Sequence, residues 1–194
     1  MRWIAVWLAT LLPAFAVAEP FPALYRVVDV AADDALNVRR KARDGSDLIG
    51  SFAPGETVEV MGVSSDGGWG RVNAGEVSGW AALRFLERLP NQDDRLPALA
   101  SCYGTEPFWN LSLDPDVPSF STPADDLPIE PPRYRQSSNR IDRFAIFSAS
   151  EHGDIHAIVA RQECTDGMSD RVFGLGIDII YLDAVLSGCC TLAR

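Results

Sequence analysis

Short alternating runs of apolar residues, each followed by a glycine- or proline-rich turn, constrain the fold of this chain more than any other feature. In the first half such runs occupy residues 36–39, 57–63, 69–72 and 77–81. The turns between them include Pro54-Gly55, Asp66-Gly67-Gly68 and Gly75. An apolar residue at every second position buries one face of a β-strand. This half therefore predicts a small all-β barrel whose buried face carries Val38, Ile49, Val58, Val60 and Val72, with one helical turn at most, around 83–86.

The second half predicts a separate β domain built from longer strands. Alternating or β-branched runs favour strands at 108–113, 142–149, 155–163 and 172–182. Between the first two lies a segment, 114–140, that contains six prolines. Because proline is excluded from central strands, we expect an irregular excursion there with one short edge strand near 119–122. Such a segment suits a functional loop or an insertion.

A polar stretch without periodicity divides the two halves. Residues 90–100 contain Asn91-Gln92-Asp93-Asp94 between two prolines, a composition typical of a linker. We therefore expect one domain at 24–89 and a second at 101–194. The predicted fold class is all-β, a small half-open barrel followed by a disulfide-stabilised antiparallel barrel-like domain.

The first eighteen residues predict a cleavable export signal. Met1-Arg2 provides the positive start, residues 3–17 are almost continuously apolar, and Ala16-Val17-Ala18 fits signal peptidase. The alternative, an uncleaved anchor, is weaker because Pro13 interrupts an apolar run shorter than the ~20 residues that span a bilayer. The sequence has no cysteine near the cleavage point, so it does not predict a lipid anchor. We expect a periplasmic or secreted protein without stable membrane insertion.

The four cysteines, Cys102, Cys164, Cys189 and Cys190, all lie in the second half. An even number in an oxidising compartment favours two disulfides. A bond between the adjacent Cys189 and Cys190 would close a strained ring, so we expect each to reach separately to Cys102 or Cys164, with both connectivities open. The spacings do not fit a zinc site, and the sequence predicts no metal and no cofactor. With 17 Lys+Arg against 27 Asp+Glu and a formal charge of -10, nucleic acid is not an expected partner.

The first half resembles the bacterial SH3 domain over residues 24–89. The similarity rests on six segments in order: Leu36-Asn37-Val38-Arg39-Arg40, Leu48-Ile49-Gly50, 54–60, Gly68-Trp69-Gly70-Arg71-Val72, Ser78-Gly79-Trp80-Ala81 and Phe85-Leu86. The resemblance implies a half-open β barrel in an envelope protein, engaging cell-wall peptides or envelope proteins. Trp69 and Trp80 suit either core packing or a ligand-facing ring. The basic cluster 39–43 suits either a carboxylate-bearing ligand or a solvated hairpin.

The second half resembles a family of small bacterial envelope proteins, some of them lipoproteins, whose function is unassigned. Three segments carry the similarity: 102–109 (CYGTEPFW), 164–171 (CTDGMSDR) and Gly188-Cys189-Cys190. Members often have Tyr-Pro after the Asp-Arg pair, where this chain has Val172-Phe173-Gly174. Tied by the cysteines, these segments predict a ligand-binding rim composed of Glu106, Trp109, Asp166, Ser169, Asp170 and Arg171. The alternative is structural: Asp166-Gly167 makes a turn, Asp170 accepts backbone N–H bonds, and Arg171 pairs with an acid.

Enzymatic functions have weaker support in the sequence. Cys164 with His152 or His156 could form a nucleophile and base, but Cys164 ends a strand instead of opening a helix. Gly153-Asp154 breaks the helix that a His-x-x-x-His zinc pair would need. The sequence therefore favours a non-catalytic binding protein of the cell envelope. The alternatives are a cell-wall hydrolase or its accessory subunit, and a structural or inhibitory envelope protein.

We predict that the mature chain begins at Glu19, because the small residues at 16 and 18 fit the peptidase and the apolar run is too short to stay in the bilayer. Intact-mass measurement of the exported protein checks this. Recovery of a full-length, membrane-embedded species would show the prediction to be wrong.

Overall fold

A computed structural model describes residues 20–92 and 95–193 of the chain. The predicted signal peptide lies outside these residues. The described chain is built from β-strands and one short 3₁₀ turn, which confirms the all-β fold class. Within these two ranges no helix has the length and apolar character needed to cross a membrane.

The first domain consists of two antiparallel sheets packed around one small core. The three-stranded sheet has the order β4-β1-β8 and the five-stranded sheet has the order β3-β2-β7-β6-β5. The strands are β1 (Ala23–Val27), β2 (Leu36–Arg39), β3 (Leu48–Phe52), β4 (Thr57–Val60), β5 (Gly62–Val63), β6 (Trp69–Ala74), β7 (Val77–Ala82) and β8 (Leu86–Arg88). The 3₁₀ turn Leu83–Phe85 joins β7 to β8, where the sequence allowed one helical turn.

Alternation along these strands builds the core as predicted. Val38, Val58, Val60 and Val72 are at most 2% exposed, and the half-buried Ile49 packs against their cluster. Because alternate side chains point to opposite faces of a strand, each strand contributes one apolar face to this core.

The second domain is a single nine-stranded antiparallel sheet that curls into a half-barrel. Its strand order is β12-β11-β10-β9-β17-β16-β15-β14-β13. The strands are β9 (Leu99–Thr105), β10 (Phe108–Ser112), β11 (Ser119–Ser121), β12 (Asp126–Pro128), β13 (Arg133–Gln136), β14 (Arg143–Ser150), β15 (Gly153–Cys164), β16 (Phe173–Tyr181) and β17 (Ala184–Leu192). Strand β9, which begins at Leu99 within the stretch predicted as linker, and strand β17 were not predicted.

The proline-rich segment is more regular than the sequence indicates. Where one short edge strand was expected, the structure has three, and they form both ends of the large sheet. The amide of Ile129 donates to Pro118 O at 3.2 Å, and that of Glu130 donates to Ala149 O at 2.8 Å. The Ile129 bond extends the pairing of β12 with β11. The Glu130 bond joins the end of β12 to β14, next to the opposite edge of the sheet. Edge strands tolerate proline because only one side of each must supply N–H donors.

Both disulfides join the carboxy-terminal cysteine pair to distant positions, which confirms that Cys189 and Cys190 bond separately. Cys102 pairs with Cys190 directly across β9 and β17. Cys164, at the end of β15, pairs with Cys189 across the intervening β16. Adjacent strand residues point to opposite faces. One disulfide therefore lies in the core of the half-barrel and the other on its outer face.

The tip of the β6–β7 hairpin makes one set of contacts between the two domains. The side chain of Asn73 donates to Val172 O at 2.8 Å and accepts from the Val172 amide at 3.2 Å. Asp170 adds an isolated parallel bridge to Val77, with its amide donating to Glu76 O at 3.1 Å and its carbonyl accepting from the Ser78 amide at 3.0 Å. These contacts tie the hairpin tip to the segment that precedes β16.

The outer disulfide should be reduced first. Cys164 is half-buried, whereas Cys102, Cys189 and Cys190 have no exposed surface, and exchange requires access to a sulfur atom. Under limiting reductant, alkylation and peptide mapping should label Cys164 and Cys189 before the other pair. In denaturant, the control, both pairs should react together. Earlier labelling of Cys102 and Cys190 in the folded protein would contradict the expected order.

Candidate functional site

A groove on the first domain combines an open cavity with chemically varied walls. It lies between the loop that joins β1 to β2 and the 3₁₀ turn, and its volume is about 440 Å³. The residues that the site uses are Asp29, Asp34, Leu36, Arg39, Asp44, Trp69, Ala82, Arg84 and Phe85. The groove is therefore large enough to hold part of an extended peptide.

The floor of the groove is apolar and well anchored. Trp69, Leu36 and Ala82 are 8%, 4% and 6% exposed. Trp69 lies opposite Ala82 in the β6–β7 ladder, and its amide donates to Ser64 Oγ at 3.0 Å. Trp69 thus packs as a largely buried residue while one part of it lines the groove, so core packing and groove lining occur in the same side chain.

The rim of the groove carries both signs of charge. Asp29, Asp34 and Asp44 are exposed carboxylates. The Arg84 guanidinium lies 4.7 Å from the centroid of the Phe85 ring, and Arg39 Nη1 donates to Ser46 O at 2.8 Å. Stacking and hydrogen bonding reduce the freedom of these two cations, so less entropy is lost when they bind a ligand. A ligand that carries both amines and carboxylates fits this rim.

Of the residues predicted for a rim on the second domain, Trp109 is placed elsewhere. Trp109 is 4% exposed and lies in the core, with Phe120 as a ring neighbour at 6.2 Å. A Cβ on Gly104 would collide with the indole Nε1, and one on Gly188 would lie 2.6 Å from Cζ2. The indole therefore packs flat on two glycines. The ring that the sequence assigned to a ligand-binding rim therefore lies in the core of the half-barrel.

Asp166 and Ser169 organise their own loop. Asp166 Oδ1 accepts from the amides of Met168 at 3.0 Å and Ser169 at 2.9 Å, and Ser169 Oγ donates to Asp166 Oδ2 at 2.8 Å. Burial raises the pKa of Asp166, but these hydrogen bonds outweigh it and hold the pKa below its usual value. Thr105 Oγ1 also donates to Asp166 O at 2.8 Å. These bonds agree with the alternative that the sequence left open, in which Asp166 has a structural role in a turn.

The remaining predicted residues separate into different surroundings. Glu106 is exposed and lines a cavity of about 300 Å³ together with Thr105 and Asp166. Asp170 uses its backbone in the domain contact, and the Arg171 guanidinium lies 4.8 Å from the Phe173 ring centroid. The structure thus keeps Glu106 near Asp166 but not beside Trp109.

Trp80 lies in a cleft between the two domains and not in the groove. It is half-buried, and the Arg71 guanidinium lies 5.8 Å from its ring centroid. Sequence reasoning selected both Trp69 and Trp80 but missed the groove's acids and the Arg84–Phe85 pair. Phe85 lies in the last segment of the family pattern, and this was the one sequence signal that could have identified it. The three acids come from loops, and no sequence signal marked them.

The comparisons with known proteins identify the first domain. Residues 34–87 match the family model of the bacterial SH3 domain, a range that extends from the loop before β2 into β8 and includes most of the groove. No match was found among curated proteins or among solved structures. The resemblance of the second half to an envelope family stays a prediction.

Replacing Trp109 with alanine should destabilise the second domain. A buried aromatic residue replaced by alanine typically costs about 3 to 5 kcal/mol, and the two glycines beneath the indole cannot fill the space. Phe108→Ala is the matched control, because Phe108 is 56% exposed on the same strand. Chemical denaturation should show a large loss for Trp109→Ala alone. Equal, small losses for both variants would contradict the core assignment.

Proposed function

We propose that this protein, with its bacterial SH3 domain at residues 34–87, is a non-catalytic binding protein of the bacterial cell envelope. Its groove would bind peptides of the cell wall or of an envelope protein. The observation that carries the proposal is the groove itself, with a tryptophan floor and a rim of three carboxylates and two guanidinium groups.

The rim favours a peptide over a purely apolar ligand. Asp29, Asp34 and Asp44 can accept hydrogen bonds from ligand amines, and Arg39 and Arg84 can donate to ligand carboxylates. Cell-wall peptides carry both kinds of group. The apolar floor formed by Trp69, Leu36 and Ala82 gives such a peptide a surface on which to bury its aliphatic carbons.

The second domain supports an exported location. Its two disulfides tie three strands of the half-barrel, and such bonds persist mainly outside the reducing cytosol. Together with the predicted signal at residues 1–18, they support a periplasmic or secreted protein. In this proposal the half-barrel holds the SH3 domain in a fixed orientation.

The hydrolase alternative depends on a free thiolate at Cys164. The sulfur of Cys164 is bonded to Cys189, so it cannot act as a nucleophile while that bond is intact. His156 lies on β15 with its ring 5.3 Å from that of Phe147. The Cys164–Cys189 disulfide therefore favours the non-catalytic proposal over the hydrolase alternative.

Reversing one rim charge should weaken binding to cell-wall material. Arg84→Glu places a carboxylate among the existing acids, so a ligand carboxylate is repelled where it was attracted; we expect affinity for purified peptidoglycan to fall roughly tenfold. Co-sedimentation at several protein concentrations measures it.

The matched control is Arg26→Glu, which makes the same charge change on the exposed face of β1, outside the groove. This control should retain wild-type binding. Equal losses in both variants would mean that net charge, and not the groove, governs retention. Failure of the unaltered protein to bind either peptidoglycan or any extracted envelope protein would contradict the proposed function.

A further inference from the structure

The cleft between the two domains is a second candidate binding site. Its volume is about 300 Å³, at the lower end of the range for small-molecule pockets. The first domain contributes Met61, Val63, Arg71 and Trp80, and the second contributes Arg161 and Glu163. Because the walls come from both domains, the site is complete only when they are docked.

One wall of the cleft is apolar and accessible. Val63 on the edge strand β5 is 45% exposed, and the half-buried Trp80 and Met61 lie along the same cavity. A valine and an indole that share an open cavity can bury an apolar ligand group of modest size.

Arg71 lines the cleft and is held in place by its own hairpin. Its Nε donates to Ser78 Oγ at 3.1 Å, and its guanidinium lies 5.8 Å from the Trp80 ring centroid. Its Nη1 lies 3.3 Å from Glu163 Oε2 of the other domain. The guanidinium is therefore positioned before any ligand arrives, which favours binding of a carboxylate.

Glu163 is a weakly held partner for Arg71. Its side chain is 66% exposed, and ion pairs at such exposed positions contribute little to stability. A carboxylate from a ligand can replace it at small cost. Arg161 adds a second positive charge to the wall, where its Nη1 donates to Phe21 O at 2.9 Å.

We propose that this cleft binds a small molecule or peptide end that carries a free carboxylate next to an apolar side chain. The ligand's carboxylate takes the place of Glu163 on Arg71, and the apolar group lies against Trp80 and Val63. An amine in that position would lie against the Arg71 guanidinium and meet a like charge. This site is separate from the groove and does not depend on the groove's function.

The probe is N-acetylphenylalanine, with N-acetylphenylalanine amide and phenethylamine as neutral and cationic counterparts. Titration is followed by the indole NMR signal of Trp80, assigned with Trp80→Phe. We expect the carboxylate to shift this signal saturably and the other two compounds to bind at least roughly tenfold more weakly. Equal binding of the amide, or no shift at roughly 10 mM carboxylate, would overturn the proposal.

Two substitutions should change affinity in opposite directions. Arg71→Gln removes the ligand's partner and should weaken binding roughly tenfold or more. Glu163→Gln removes the competitor and should strengthen binding roughly two- to fivefold. Arg26→Gln and Glu87→Gln, which make the same charge changes on β1 and β8, are the controls and should leave the affinity unchanged.

If Arg71→Gln disturbs the fold, the stronger binding expected for Glu163→Gln still tests the proposal. Melting temperatures of all variants identify such a disturbance. Weaker binding in Glu163→Gln would show that Glu163 itself contacts the ligand, and the proposed exchange would be wrong. Loss of peptidoglycan binding in Arg84→Glu with unchanged binding of the carboxylate probe separates the groove from the cleft.

Discussion

The placement of two adjacent cysteines on one strand determines much of the second domain. Because neighbouring side chains on β17 point to opposite faces, Cys190 bonds to Cys102 inside the half-barrel and Cys189 bonds to Cys164 outside it. The inner bond holds β17 against β9. The outer bond fixes the end of β15 and therefore the start of the loop 165–172, which carries the backbone groups that contact the SH3 domain. The domain contacts made by this loop therefore depend on the two cysteines.

Local sequence patterns predicted the first domain better than the second, because the barrel's strands are short and are separated by turns with recognisable residues. Strand β17 was missed because Ser187-Gly188-Cys189-Cys190 lacks apolar alternation; its burial comes from the disulfides and from Trp109. Strands β12 and β13 lie among prolines and form the two ends of the sheet, so each pairs with a single neighbour. Both pairings are local hairpins, but these short strands contain or adjoin proline and carry no alternating apolar run from which to predict them.

The candidate sites were predicted only in part, because some of their residues come together only in the folded chain. Trp69 and Trp80 follow the SH3 pattern, and both line cavities. Trp109 looked like a recognition residue, but it is buried on Gly104 and Gly188, which are distant from each other in sequence and adjacent in the sheet. The residues Asp29 and Arg84 come from a loop and a 3₁₀ turn, and only the folded barrel places them beside one groove.

The β6–β7 hairpin connects the groove, the cleft and the domain contact. Its register places Trp69 opposite Ala82 at the groove, Arg71 opposite Trp80 in the cleft, and Asn73 opposite Ser78 at the docked tip. Docking at the tip therefore sets the geometry of the cleft, because the ligand carboxylate must meet Arg71 where Glu163 now lies. The groove is formed within the SH3 domain alone. Coupling between two sites requires a structural element that can adopt two alternative arrangements. The β6–β7 ladder is paired along its whole length, which favours a single arrangement. The hairpin thus fixes the relative position of the two sites, and each is expected to bind its ligand independently.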